Sequence, residues 1–305
     1  MKIFNKIYEE NNKTRIDNYL KEELNVTRSF INNLIKQNLI YVNENLITKP
    51  GYLIKQNDLI TVYQKQQDIT KTNKLQIRFE VIYEDEYLMV INKPKNLLCH
   101  KTKFNETDTL VDELKQYYLN KNYQLNNLKD IRNGLVHRLD KDTNGLLLVA
   151  KNIDVFNALK KDLENNKIQK QYYAVVKNSF ENNIKEFTIN LPLDHIKDSI
   201  KIKVDKNGKE AITEVKVLQN FQNYSLIQCN LLTGRTHQIR VHLSAINHPI
   251  LNDPLYNTDP IEDETYQYLM AYELQFIHPV TKKLMQFEIE LTDLFKNKIK
   301  MLQKL

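Results

Sequence analysis

The strongest constraint on how this chain can fold is an apolar run, Gly145-Leu146-Leu147-Leu148-Val149-Ala150, that follows closely on a segment crowded with charge, His137-Arg138-Leu139-Asp140-Lys141-Asp142. The run has the length and residue content of a buried strand. Charged groups beside a buried strand are costly to desolvate unless they are paired. The segment from His137 to Asn144 therefore reads as a candidate site and not as a random surface turn.

The rest of the chain bounds what such a site can serve. At 305 residues it holds one large domain, or a large and a small one, and 41% hydrophobic residues are ample for a packed core. A formal net charge of +6 permits a polyanionic partner without requiring one. Cys99 and Cys229 are the only cysteines, too few for a disulfide framework and without metal-ligand spacing. Met1 to Asn12 is polar and charged, with no signal-peptide core. No apolar run approaches the ~20 residues of a membrane helix. The expectation is a cytoplasmic protein that does not engage membranes.

Periodicity divides the chain. Ile16, Leu20 and Leu24 recur at helical spacing, as do Phe30, Leu34 and Ile35, with Thr27 or Ser29 as the expected cap of the second helix. Short strand-like pieces follow at Ile40 to Val42 and Leu59 to Val62, read as a small hairpin with turn residues such as Pro50-Gly51 between them. Tyr63 to Gln76, rich in Gln, Lys and Thr, reads as a linker. Beyond it the pattern is α+β. Phe79 to Tyr83 and Tyr87 to Ile91 are expected to pair across an acidic turn. Ile153 to Asn165 is expected as a helix, and strands at Tyr172 to Val176, Ile212 to Val217, Tyr224 to Leu231, Leu274 to Ile277 and Leu284 to Leu291. The division is a small domain over 1–63, a linker over 64–76 and a large domain over 77–305.

Asp140 is the natural centre of the candidate site. An aspartate of ordinary acidity (pKa ~3.9) is ionised at neutral pH, and a neighbouring cation favours that form further. Such a carboxylate is a poor general acid but a usable nucleophile or charge stabiliser. His137, His237 and His242 offer a rival reading as metal ligands of a phosphodiesterase-like hydrolase. Their spacing is not the i,i+4 that sets two histidines on one helix face, and no Asp/Glu cluster completes the set.

Four separated segments resemble, in order, those of the RluA/RluD-type ribosomal RNA pseudouridine synthases. The first is Ile91-Asn92-Lys93-Pro94 with Leu97, Leu98 and His100, and the second is the Asp140 segment. The third is Lys170-Gln171-Tyr172-Tyr173-Ala174-Val175-Val176. The fourth runs from Leu232-Thr233-Gly234-Arg235-Thr236-His237-Gln238-Ile239-Arg240-Val241-His242-Leu243 through His248-Pro249-Ile250 to Asp253-Pro254-Leu255-Tyr256. The small amino-terminal unit resembles the S4-type RNA-binding domain through Arg15-Ile16-Asp17, Thr27-Arg28-Ser29, Val42-Asn43 and Asn57-Asp58-Leu59-Ile60.

The resemblance implies an α+β catalytic fold with a mixed, largely antiparallel sheet and flanking helices, preceded by a small S4-type α/β domain. It implies isomerisation of specific uridines in structured RNA, in large-subunit ribosomal RNA or its assembly intermediate, by an Asp nucleophile acting on a flipped base. Asp140 takes the nucleophile's place, Tyr172 that of the active-site tyrosine, and Arg240 that of the cation beside Asp140. Arg138 is expected to help displace the target base, with His137 and Arg235 as further RNA contacts. Arg15, Arg28 and Lys36, on or near one helical face, are expected to meet phosphates. Neither metal nor cofactor is implied, and a monomer is expected. The alternative from a non-enzyme class is a catalytically inactive RNA-binding ribosome assembly factor. Where the family often has glycine this chain has Asn57, Asn96, Asn247, Asn252 and Glu44, and Asn144 stands for a usual serine. Asn tolerates left-handed backbone better than other residues with side chains, so the turns are expected to survive.

Overall fold

The computed structural model describes residues 2–24, 26, 28–63, 75–101, 108–123, 129–197, 199–258 and 267–304. Of the expected linker only 75 and 76 are described, and Thr27 and the Ser29 side chain, the expected cap, lie outside the description. The chain forms two compact units, Met1–Asn73 and Lys74–Leu305.

The first unit places two helices, α1 (Ile16–Glu23) and α2 (Arg28–Lys36), with a four-stranded antiparallel sheet. Its strands are β1 (Lys2–Ile7), β3 (Ile40–Val42), β4 (Asn45–Leu46) and β6 (Leu59–Tyr63), in the order β1-β6-β3-β4. Two short strands, β2 (Thr14–Arg15) and β5 (Leu53–Ile54), pair with each other. Ile16 and Leu20 of α1 and Ile31, Leu34 and Ile35 of α2 are buried with Ile40, Ile60 and Val62, as the helical spacing requires. The strands expected as a hairpin are antiparallel neighbours but not a hairpin. Asn43 and Glu44 both adopt positive φ and turn β3 into β4 instead, because two left-handed residues make the tight turn that suits strand twist. Strand β1, whose mixed and non-alternating pattern carried no strand signal, fills the other side of β6.

The second unit is built on a nine-stranded sheet. Its strands are β7 (Glu80–Glu84), β8 (Leu88–Lys93), β9 (Asn144–Ala150), β10 (Gln169–Lys177), β11 (Glu186–Asn190), β14 (Ile212–Asn220), β15 (Tyr224–Leu231), β16 (Leu269–Ile277) and β17 (Leu284–Glu288). A separate ribbon pairs β12 (Leu193–His195) with β13 (Ile202–Val204). The sheet order is β11-β14-β15-β10-β16-β9-β8-β7, with β17 also on β16. Its pairings are antiparallel except that of β9 with β16.

The strand read from the apolar run is buried along its whole length. Leu147 and Val149 face one layer and Leu146, Leu148 and Ala150 the other, as period-2 alternation demands. Helices α3 (Leu110–Asn120) and α5 (Gln238–Ala245) pack on the first face. Helices α4 (Ile153–Glu164) and α6 (Asp293–Leu302) pack on the second. Helices α3 and α6 were not read from the sequence. Their starts carry clear signals: Thr109 forms a reciprocal capping box with Asp112, and the Thr292 side chain caps Phe295 N–H. Asn57, Asn96, Asn247, Asn252 and Glu44 all hold positive φ, so each does take the conformation for which glycine is usual. No helix among the described residues is long and apolar enough to cross a membrane.

Candidate active site

Asp140 sits in the loop that enters β9. The loop is tied down on both sides of it. Cys99 Sγ donates to Leu139 O (3.2 Å), while Leu97 N–H (3.2 Å) and Lys93 Nζ (3.1 Å) both reach Lys141 O. Lys93 is wholly buried and also donates to Pro94 O and Leu97 O, and its burial pulls the ammonium pKa down to about 8. The first segment singled out in the sequence thus braces the second. Thr143 N–H donates to Asp140 O at 3.2 Å and closes the turn.

The Asp140 carboxylate meets Arg240, exactly a hundred positions along the chain, on α5. Arg240 Nη1 donates to Asp140 Oδ2 at 2.9 Å. Its Nε and Nη2 donate to the two oxygens of Asp253, at 2.7 and 2.8 Å. Asp253 is fully buried and Arg240 only 5% exposed, whereas Asp140 keeps 18% of its side chain open. Burial works against the Arg240 cation, but the hydrogen bonds and charge of Asp253, then Asp140, outweigh it and raise its pKa. One carboxylate therefore fixes the guanidinium, and the guanidinium presents the other carboxylate to solvent. Bidentate pairing of this kind sets direction as well as charge.

Two further groups complete that end. The Tyr256 hydroxyl accepts from Ile202 N–H at 2.8 Å and shares a hydrogen bond with His237 Nδ1, also at 2.8 Å. The other ring nitrogen of His237, Nε2, lies 3.8 Å from Asp140 Oδ2. Burial lowers the His237 pKa, more than Asp140 raises it, and keeps the ring neutral. His237 holds φ 55° at the start of α5, an uncommon setting for a residue with a side chain and one that clusters at functional sites.

These groups open on a cavity of about 480 Å³, lined also by Tyr172, His137, Lys170, Arg138, Arg235 and Thr143. Tyr172 is 5% exposed on β10, and burial, then the charge of Asp140, push its phenol pKa up. Tyr173 faces the other way and stacks on Tyr272 at 3.7 Å. His137 accepts from Leu148 N–H at 3.1 Å, and burial, helped by Lys170, pulls its pKa down to about 3. It lines the cavity but brings no positive charge. Arg138 and Arg235 are exposed at the rim, with Arg138 Nη1 3.4 Å from His100 Nε2 and Arg235 Nε donating to Glu210 O. His242 lies apart from the cavity lining, held between Thr213 and Leu191 O. The three histidines of the metal reading do not converge, and no group of three metal-binding side chains occurs among the described residues.

In the amino-terminal unit Arg15 and Arg28 meet across Asp17 and not along one helical face. Asp17 is buried, and both arginines bind it while remaining about half exposed. Lys36 lies in the last turn of α2, eight residues beyond Arg28, or roughly 12 Å along the axis.

The sequence matches the family model for RNA pseudouridylate synthases over residues 87–245 and that for the S4 domain over 14–60. An uncharacterized RNA pseudouridine synthase of Mycoplasma pneumoniae is 37% identical over 93% of this chain and 91% of its own length. The chain belongs to the RNA pseudouridylate synthase family. A ribosomal large subunit pseudouridine synthase D of Buchnera aphidicola is 34% identical over 87% of this chain and 86% of its own. In fold, the human RNA pseudouridylate synthase domain containing 1 superposes with a TM-score of 0.56 at 20% identity, over 75% of this chain and 96% of that one.

For this pseudouridine synthase three site residues escaped the sequence reading as participants. Asp253 and Tyr256 stand in a quoted segment, but nothing local marks them as partners of Arg240 and His237. Lys170 opens the third segment, with no role of its own read for it. It is 9% exposed, and burial pulls its ammonium pKa down to about 8, below the ~10.4 of a free lysine. Below pH 8 the folded enzyme carries this buried charge at full cost. Between pH 8 and about 10.5 the folded state loses the proton before the unfolded state does, and the cost fades. Lys170→Met is therefore expected to stabilise the enzyme at pH 7 by on the order of 3 kcal/mol, with little gain left at pH 10.5. Urea unfolding at the two pH values measures this, and an equal or lower midpoint for the variant at pH 7 would refute it.

Proposed function

We propose that the enzyme isomerises specific uridines of structured RNA, with large-subunit ribosomal RNA as its substrate and Asp140 as the nucleophile. The observation that carries this is the asymmetric pairing of Arg240. Its charge is shared between a sealed carboxylate, Asp253, and an open one, Asp140, that faces the cavity. The reaction breaks the uridine N1–C1′ bond, turns the uracil and joins C5 to C1′; the C5 proton leaves and N1 gains one. It is redox-neutral and calls for one aimed carboxylate. Arg240 supplies the aim. Tyr172, kept protonated by burial, serves to stack on the uracil and is a poor base.

A uridine can reach Asp140 only if it leaves its stack, which costs a few kcal/mol and least in a loop. Arg138, exposed two residues before the nucleophile, is placed to fill the gap it leaves. Arg15 and Arg28, one net charge after Asp17, add phosphate contacts that carry affinity without sequence information. The large-subunit assignment draws on the S4 match and on the relative named for that substrate. In this reading the enzyme works as a cytoplasmic monomer.

Carbodiimide adducts mapped by primer extension on ribosomal RNA test the proposal. The wild-type enzyme is expected to create new stops and Asp140→Asn none, a loss of at least about a thousandfold. Stops that persist in Asp140→Asn would place the chemistry on another residue. Tight RNA binding by wild type without any stop would favour an assembly factor.

A further inference from the structure

Lys170 is a buried cation that the reaction scheme above leaves unused. It lies on β10 two positions from Tyr172, with Cα atoms roughly 7 Å apart. Both line the cavity. No carboxylate or hydrogen-bond acceptor among the described residues engages the Lys170 ammonium. Glu164 and Glu210 line the same cavity, but both are exposed and neither pairs with it. Its neighbour His137 is neutral and has given its Nε2 to Leu148 N–H. Gly234 leaves the approach open: a Cβ built there would find only Lys170 Nζ within 4 Å, at 3.5 Å.

A charged group buried without a partner is costly, and the cost is offset when an anion enters the same low-dielectric space. We propose that Lys170 forms a phosphate subsite, binding a backbone phosphodiester next to the uridine that Tyr172 and Asp140 receive. The subsite rests on the reading of this cavity as the uridine site. It gives the flipped nucleotide two anchors, one at the base and one at the backbone, and so fixes its sugar over the carboxylate.

The test uses the full chain in an Asp140→Asn background, so that binding is read without turnover. Retention of a large-subunit ribosomal RNA transcript on filters is followed from about 50 to 200 mM KCl. Lys170→Met is expected to reduce the slope of log K against log salt by about 0.7–0.9, the value of one phosphate contact. Lys170→Arg is expected to retain the slope. Gly234→Asp, which sets a carboxylate beside the ammonium, is expected to lose as much as Lys170→Met, and it decides the matter if Lys170→Met fails to fold. A lysine that only supports the fold would change melting temperature without moving the slope. An unchanged slope in Lys170→Met or Gly234→Asp overturns the subsite. A slope that falls as expected while the wild-type enzyme forms no pseudouridine on any RNA would keep the phosphate contact and overturn the catalytic reading instead.

Discussion

Arg240→Met is expected to slow pseudouridine formation by about 10²–10³-fold and to destabilise the catalytic unit by about 3–5 kcal/mol. The two effects have different origins. The rate falls because Asp140 loses the 2.9 Å contact that aims its carboxylate into the cavity. The stability falls because Asp253, fully buried, loses both of its guanidinium hydrogen bonds and is left as an uncompensated charge. Backbone N–H groups of Leu255 and Tyr256 remain on one Asp253 oxygen, which is too little for a buried carboxylate. The double variant Arg240→Met, Asp253→Asn separates the terms: it is expected to recover part of the stability and none of the rate. Single-turnover assays and urea unfolding read the two quantities. Full activity in Arg240→Met would remove the arginine from the mechanism, and unchanged stability would mean that Asp253 finds another partner.

Gly145→Ala is expected to destabilise the catalytic unit by roughly 3–5 kcal/mol, enough to leave little folded enzyme in a domain of ordinary stability. Gly145 has φ +128°, a region open in practice to glycine alone. An added Cβ would lie 2.1 Å from Ala271 O and 2.7 Å from Ala271 C, both backbone atoms that cannot swing aside. Gly145 is also where β9 pairs in parallel with β16 while pairing with β8 on its other edge. The substitution would spread the sheet at its centre, five residues from Asp140. Thermal melts and the soluble yield of the variant measure the effect. A variant with wild-type stability would show that the close approach of β9 and β16 is not required.

What was legible in the sequence follows the range of the forces involved. The apolar run at Gly145 to Ala150 marked a central strand because strand burial is written in consecutive residues. The two helices of the amino-terminal unit were legible because helical burial repeats every three to four residues. The asparagines at 57, 96, 247 and 252 could be read as left-handed turns because that preference belongs to one residue and its own backbone. Helices α3 and α6 were missed although their capping threonines were present, since a cap is a weak signal without a strong apolar stripe behind it. Strand β1 was missed for a similar reason: its apolar residues do not alternate, and β6 gives it its place.

The sequence by itself determined the residues proposed for the chemistry, the strand that supports them and the family to which the chain belongs. Only the tertiary structure decided how their charges divide. It brings Arg240 to Asp140 across a hundred residues, hands the other side of that guanidinium to Asp253, removes the charge from His137 and buries Lys170 with no ion-pair partner among the described residues. Those outcomes depend on burial and on distances of a few ångströms between segments remote in the chain. A carboxylate and a cation interact through the space between them, and that space is fixed by the sheet order, not by the spacing of residues along the sequence.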